Sequence, residues 1–209
     1  MYYGEKLNSI SHLVGSVFSL VALGALLALS IPTRDPRMIV GYSVFGLTLV
    51  LLYAMSTLYH SFRAPRLKRV FKVLDHISIY LLIAGTYTPL MLISLADRSG
   101  TMILVLVWIL AVIGILSEML LSGRAVKTCQ LLIYLGMGWA CTIDLAGLSD
   151  ALPRAGFLWL AAGGVTYTIG VVFYILDKLD QLTHAHGIWH FFVLVGSVCH
   201  FIAIAGYVR

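Results

Sequence analysis

The sequence predicts an all-α membrane protein: a bundle of seven transmembrane helices with a cytoplasmic N-terminus and the C-terminus outside. Three observations predict this fold. Of the 209 residues, 60% are hydrophobic and only 11% are charged, whereas soluble domains carry about 25% charged residues. Seven largely uncharged stretches approach or exceed the roughly 20 residues that a helix needs to cross a bilayer. Lysine and arginine are unequally distributed between the two ends of such a bundle.

The seven spans follow one another with short connections, so the chain is predicted to form a single membrane domain over residues 1–209. Their limits are about 10–31, 38–62, 70–96, 99–121, 128–148, 155–176 and 184–208. Pro32 and Pro36 favour a helix end after the first span, Pro65 after the second and Pro153 after the fifth. The fifth span reaches the necessary length if Asp144 lies near the membrane surface. Barrel strands are excluded because they alternate apolar and polar residues.

The basic residues orient the bundle. With an alternating topology, nine of them fall on the side of the N-terminus: Lys6, Arg63, Arg66, Lys68, Arg69, Lys72, Arg124, Lys127 and Lys178. Five fall on the other side: Arg34, Arg37, Arg98, Arg154 and Arg209. Because basic residues are enriched in cytoplasmic loops, the N-terminus is predicted to be cytoplasmic. The same rule accounts for the net charge of +5, so we predict no nucleic-acid partner.

Ionisable side chains within the spans are candidate functional groups, because they are costly inside a bilayer. His60 lies at the end of the second span, Asp75 at the start of the third, and His186 and His190 at the start of the seventh. His12 lies near the start of the first span. The alternating topology places all five at the cytoplasmic end of the bundle.

The spacing of these histidines is typical of a metal site. His186 and His190 are four residues apart and therefore share one face of a helix, an arrangement that can bind one zinc ion. His60 is a third nitrogen ligand at the same depth, and three histidines form the open Zn²⁺ site of a hydrolytic enzyme. Asp75 would act as general base or orient a ligand imidazole. Alternatively, the histidine pair hydrogen-bonds across the bundle and Asp75 is a helix N-cap.

At these positions the sequence resembles the bacterial haemolysin-III-like branch of the progestin and adipoQ receptor family, within a superfamily of membrane hydrolases that includes the alkaline ceramidases. The matching stretches extend along the whole chain: 5–12, 56–60, 75–76, 85–89 and 186–190. The resemblance implies a zinc ion at the cytoplasmic side held by His60, His186 and His190. It implies that Asp75 and Ser56 lie beside this ion as catalytic residues.

We therefore consider three functions. The first is zinc-dependent hydrolysis of a lipid amide or ester bond at the cytoplasmic leaflet, since the adiponectin receptors of this family are regarded as lipid amide hydrolases. The resemblance adds a role in membrane lipid homeostasis, a bacterial inner membrane location and a membrane lipid as substrate or ligand. The second function is cytolysis, although no span resembles a polar pore lining. The third is a sensor of membrane state with a structural zinc. The lipid, the oligomeric state and the roles of His12 and Glu118 stay open.

Overall fold

A computed structural model describes residues 4–97 and 99–209. In these two segments the chain forms eight α-helices and no strand: α1 (Lys6–Ser30), α2 (Pro36–Ser61), α3 (Pro65–Pro89), α4 (Gly100–Leu120), α5 (Arg124–Gly138), α6 (Leu145–Ala151), α7 (Arg154–Lys178) and α8 (Ala185–Tyr207). Arg98, counted above among the outer basic residues, lies outside the described residues.

Seven helical segments of the described chain are long and apolar enough to cross a membrane: Lys6–Thr33, Pro36–Ser61, Pro65–Ser94, Gly100–Leu120, Arg124–Ala151, Arg154–Lys178 and Ala185–Tyr207. This confirms the predicted all-α fold with seven spans. Its surface is apolar, as shown by Phe18, Val21 and Leu120, which are 67%, 66% and 74% exposed. Such an exterior suits a lipid environment. The helical backbone suits it as well, because each helix pairs its own N–H and C=O groups.

Two spans depart from regular α-helix at a defined residue. After Pro89, which lacks a backbone N–H donor, α3 continues as a π-helical turn over Leu90–Ser94. The fifth span is interrupted by the 3₁₀ segment Ala140–Asp144, which separates α5 from α6. The sequence-based prediction of one uninterrupted helix there is therefore replaced by two helices with a break between them.

A tyrosine from the third span supports this break. The hydroxyl of Tyr87 donates a hydrogen bond of 2.9 Å to the carbonyl oxygen of Gly138 and accepts one of 2.8 Å from the amide of Cys141. Backbone groups at helix ends have no partner within the helix. Tyr87 thus satisfies two of the groups that the interruption of the fifth span would otherwise leave unpaired.

The helices pack so that α1 and α8, the first and last of the described helices, lie side by side. The largest helix contacts join α1 to α2, α2 to α3, and α7 to α8, and α1 also packs against α8. This arrangement places the end of α2 beside the starts of α1 and α8. We call this end of the bundle, where α1 begins, the histidine end.

Candidate metal centre and cavity

The structure brings the three predicted metal ligands together at the histidine end. His60 lies in the last turn of α2, and His186 and His190 lie in the first two turns of α8. Their ligand nitrogens all lie within 4.8 Å of one another. His60 and His190 are only 2% and 0% exposed, and His186 is half-buried. Such a group of imidazoles could hold a metal ion.

Glu5 fixes the orientation of His60. The Nδ1 of His60 lies 2.6 Å from Oε2 of Glu5, and the same carboxylate accepts hydrogen bonds from Asn8 at 2.8 Å and Lys68 at 3.1 Å. Partial burial raises the pKa of Glu5, but the hydrogen bonds from His60, Asn8 and Lys68 outweigh it and hold this pKa well below its usual range. Because an ionised carboxylate only accepts hydrogen bonds, Nδ1 of His60 carries the proton.

The other two histidines are oriented in the same way. Nδ1 of His186 lies 3.1 Å from Oδ2 of Asp177, near the end of α7. Nδ1 of His190 lies 3.2 Å from Oγ of Ser11, whose own hydroxyl proton is donated to the carbonyl oxygen of Asn8. Ser11 is therefore free to accept from His190. In both imidazoles, as in His60, the proton resides on Nδ1 and the lone pair on Nε2.

The opposite nitrogens of these rings explain why the site fits a metal ion. In all three rings the Nε2 atom is buried and has no hydrogen-bond partner within residues 4–97 and 99–209. These are the Nε2 atoms of His60, His186 and His190. Leaving a buried polar atom unpaired costs about 1–3 kcal/mol. Metal-binding histidines typically donate their other N–H to a carboxylate, a backbone carbonyl or a water molecule, and His60 and His186 donate theirs to carboxylates. Three neutral imidazoles suit zinc as well as copper, iron or nickel.

Asp75 and Ser56 form a buried pair beside the histidines. Ser56, on α2 one turn before His60, donates a hydrogen bond to the carboxylate of Asp75 on α3. They are 1% and 8% exposed, respectively. The interpretation of Asp75 as a helix N-cap is wrong, because α3 begins ten residues earlier at Pro65. None of the three Nδ1 contacts above involves Asp75, which leaves its carboxylate available to act on a substrate.

His12 lies against the centre without joining it. Its ring stacks on that of His190 with centroids 3.6 Å apart and planes inclined by 14°. Ring lone pairs lie in the plane of the imidazole, so two nearly parallel, stacked rings do not direct their lone pairs at the same ion. Both nitrogens of His12 are buried and lack a partner among the described residues. His12 is a neighbour of the candidate ligands.

A second ionic cluster lies close by, around Glu118. Its carboxylate contacts Nδ1 of His76 at 2.7 Å and the ammonium group of Lys127 at 2.8 and 2.9 Å. Tyr134 donates a hydrogen bond of 3.0 Å to the backbone carbonyl of His76. The cluster connects α3, α4 and α5 at the histidine end and is separate from the three-histidine group.

A long cavity runs from the centre into the bundle. It is lined by α2, α3, α5, α7 and α8 and by His12 of α1, and Asp75, Ser56 and His186 lie at one end. On α7 its lining extends from Lys178 to Gly164, which is about 21 Å at 1.5 Å per residue. That length exceeds half of a hydrocarbon core of about 30 Å, so the cavity is long enough to accommodate an acyl chain.

The helices that line the cavity make little contact with each other between the fifth and sixth spans. Both α5 and α7 line the cavity, yet α5 packs against α3 and α4 and α7 packs against α8, with little contact between them. A hydrogen bond of 3.1 Å from Nε1 of Trp139 to Oγ1 of Thr168 bridges the two spans. A molecule in the surrounding bilayer would find its shortest route to the cavity here.

Three residues that hold the histidines were not identified from the sequence. Glu5 and Ser11 lie within the stretch 5–12 that carries the family resemblance, which was the available signal. Asp177 had no such signal, because its contact with His186 depends on the turn between α7 and α8. Nothing in the local sequence specifies that turn.

Comparisons with known proteins identify the family to which the chain belongs. Residues 2–201 match the family described as haemolysin-III related. The chain is 38% identical over 204 residues to Hemolysin-3 of Bacillus cereus. The matched region covers 98% of this chain and 91% of that protein.

More distant similarities extend to animal proteins. The chain is 29% identical over 169 residues to the monocyte to macrophage differentiation factor of Homo sapiens, with 78% of this chain and 68% of that protein covered. It is 24% identical over 223 aligned positions to the adiponectin receptor protein of Drosophila melanogaster, with 96% and 50% covered. The seven spans, the buried histidines and these matches together place the protein in the haemolysin-III-related family of integral membrane proteins.

Proposed function

We propose that the protein is a zinc-dependent hydrolase that cleaves an amide or ester bond of a membrane lipid. Its place would be the cytoplasmic leaflet of a bacterial inner membrane, and its role the homeostasis of membrane lipids. One observation carries this proposal: the three Nε2 atoms without partners converge beside the Asp75–Ser56 pair at the end of a long cavity. Three histidines with an open position are the ligand set of catalytic zinc sites.

The side chains have distinct tasks in this reaction. When bound, a zinc ion supplies Lewis-acid chemistry, polarising a carbonyl group and acidifying water. Asp75 accepts the proton that a water molecule loses as its oxygen attacks the carbonyl carbon, and later returns that proton to the leaving nitrogen or oxygen. Ser56 holds the Asp75 carboxylate by its hydrogen bond. Glu5, Asp177 and Ser11 keep the histidine rings aligned.

The cavity supports a lipid as the substrate. Its wall is largely apolar, with Leu52, Ile83 and Val171 among the lining residues, so an acyl chain can extend from the reacting bond into the bundle. The gap between α5 and α7 supplies a lateral route from the bilayer. A substrate delivered this way would not need to leave the membrane.

The Asp75→Asn variant tests the proposal. We expect purified Asp75→Asn protein to retain zinc and lose lipid hydrolysis by about 10²–10⁴-fold, because only the proton acceptor is removed. Metal content and product release from total membrane lipids would be measured side by side. Asp35→Asn at the other end of the bundle is a matched control, since asparagine can also cap α2. Purified wild-type protein that binds no metal would refute the proposal.

Two other functions give different results in the same variants. A relative is named Hemolysin-3, which keeps cytolysis as a second candidate: lysis by expressed protein that persists in His190→Ala would favour it. A sensor with a structural zinc would keep both its metal and its cellular phenotype in Asp75→Asn. Loss of hydrolysis with retained metal is expected only of the enzyme.

A further inference from the structure

We propose that the cavity binds its amphiphile by an anionic headgroup, a phosphate or a carboxylate, held between Lys72, Lys127 and Lys178 at the histidine end. This deepens the proposed function, on which it rests for the identity of the bound amphiphile as substrate. The binding itself requires no turnover, so it is tested separately.

Three ammonium groups from three different helices line one end of the cavity. Lys72 belongs to α3, Lys127 to the start of α5 and Lys178 to the end of α7, and all three contribute to the lining that also includes Asp75 and His186. All three helices line the cavity, and α5 and α7 flank its lateral gap. An anionic group entering between them would meet lysine from each side.

Two of the lysines are held in place by acidic residues. Lys127 contacts the Glu118 carboxylate, and Lys178 contacts Asp177 at 3.2 Å while lying 5.1 Å from the centre of the Tyr174 ring. These contacts compensate their charges in part and restrict their movement. Positively charged side chains already held at a site lose less conformational freedom when a ligand binds.

Lys72 supplies the uncompensated charge. The ion pairs found within residues 4–97 and 99–209 do not include it, although its side chain is exposed at the cavity. A cation without an acidic partner in a partly enclosed, apolar site attracts an anion more strongly than one on an open surface. Lys72 therefore gives the three-lysine cluster a positive charge that Glu118 and Asp177 do not balance, and this charge favours a negatively charged head.

The position of Lys72 also locates the bond to be cleaved. Lys72 and Asp75 lie three residues apart on α3, about 4.5 Å along the helix axis. A headgroup bound at Lys72 places the atoms next to it beside Asp75, and the remaining chain extends along Ile79 and Ile83. We infer that the substrate is an anionic lipid or lysolipid whose reacting bond lies close to its charged group.

The test measures binding of dodecyl phosphate to the full-length protein in dodecyl maltoside, through the rise in apparent melting temperature. Dodecyl trimethylammonium has the same chain with a cationic head, and inorganic phosphate has the anion without the chain. The variants are Lys72→Met, Lys72→Arg and, as a matched control on the same helix outside the cavity lining, Arg69→Met. Each is measured with zinc and after metal removal.

We expect dodecyl phosphate to stabilise the wild type and Arg69→Met, with half-saturation about tenfold higher in Lys72→Met, as for the loss of one charge-assisted contact. Lys72→Arg should retain binding. Equal binding by Lys72→Met and the wild type would overturn the proposal, as would equal stabilisation by the cationic amphiphile or by inorganic phosphate. The proposal would also be overturned if removing the metal abolished the stabilisation by dodecyl phosphate while Lys72→Met left this stabilisation unchanged.

The two proposals fail in different ways. Binding that depends on Lys72 in a protein that hydrolyses no lipid would refute the proposed enzyme and leave the anionic headgroup site intact. Hydrolysis by the wild type that proceeds unchanged in Lys72→Met would refute the headgroup site alone.

Discussion

Glu5 holds His60 from a position just before the first span, and this contact links the N-terminus to the candidate metal centre. The carboxylate is itself fixed by Asn8 and Lys68. It thereby fixes both the ring orientation of His60 and the nitrogen that bears the proton. Glu5 is a positioning residue, since it would affect a bound metal only through the imidazole that it orients.

Replacing Glu5 with glutamine should weaken metal binding. Glutamine cannot supply the charge that keeps Nδ1 of His60 protonated, so we expect zinc affinity to fall about 10–100-fold. Competition with a chromogenic chelator would measure this in purified protein, without any assay of hydrolysis. Glu118→Gln is the matched control, because Glu118 contacts His76 and Lys127 instead of a candidate ligand. Equal affinities of the two variants would contradict the role of Glu5.

At this scale the sequence was informative where helix geometry alone decides proximity. The i, i+4 spacing places His186 and His190 on one face, and the alternating topology places His60 at the same depth. The partners of their Nδ1 atoms depend on contacts between distant residues, such as Ser11 with His190, and local patterns carry no information on these. The sequence also left open whether Asp75 caps a helix. The structure answers this, because α3 begins at Pro65 and Asp75 lies within the helix.

Among the elements, α2 and α3 approach each other closely, backbone to backbone, at Gly41. A Cβ added at Gly41 would lie 2.8 Å from the Cα of Pro89, where α3 gives way to its π-helical turn. The neighbour is backbone, so it cannot move aside as a flexible side chain could. Small residues at such crossings allow transmembrane helices to pack tightly.

We expect Gly41→Ala to lower the free energy of unfolding by about 1–3 kcal/mol, because the added methyl group forces the two backbones apart. Titration with sodium dodecyl sulfate from mixed micelles would measure the change. Gly24→Ala is a suitable control: a Cβ at Gly24 meets no atom within 4 Å, and alanine favours a helix by about 1 kcal/mol over glycine. An unfolding free energy unchanged in Gly41→Ala would show that the crossing is loose.

The seven spans could be predicted from the sequence, but the break in the fifth span could not. Hydrophobicity predicted seven spans because a bilayer demands long apolar helices. It did not predict the break at Ala140–Asp144, since the residues around it are as apolar as those of an intact span. The break depends on the Tyr87 hydroxyl, which comes from another helix and replaces the lost backbone hydrogen bonds.

For the whole molecule, the basic residues predict that the histidine end faces the cytoplasm. Single cysteines in a cysteine-free background test this: Ser122→Cys lies between α4 and α5 at the histidine end, and Arg154→Cys lies at the opposite end. We expect a membrane-impermeant maleimide to label Arg154→Cys in intact cells. Ser122→Cys should react only after permeabilisation. The reverse pattern would invert the bundle and place the centre outside.

The histidine end has a consequence for the biogenesis of the protein. His60 belongs to α2 and His190 to α8, 130 residues later along the chain, and α1 packs against α8 beside them. During synthesis all three imidazoles could therefore bind one metal ion only after α8 has entered the membrane. Binding of a metal ion by all three imidazoles would then report that α8 has inserted, and a chain truncated before α8 would keep only His60 of the three.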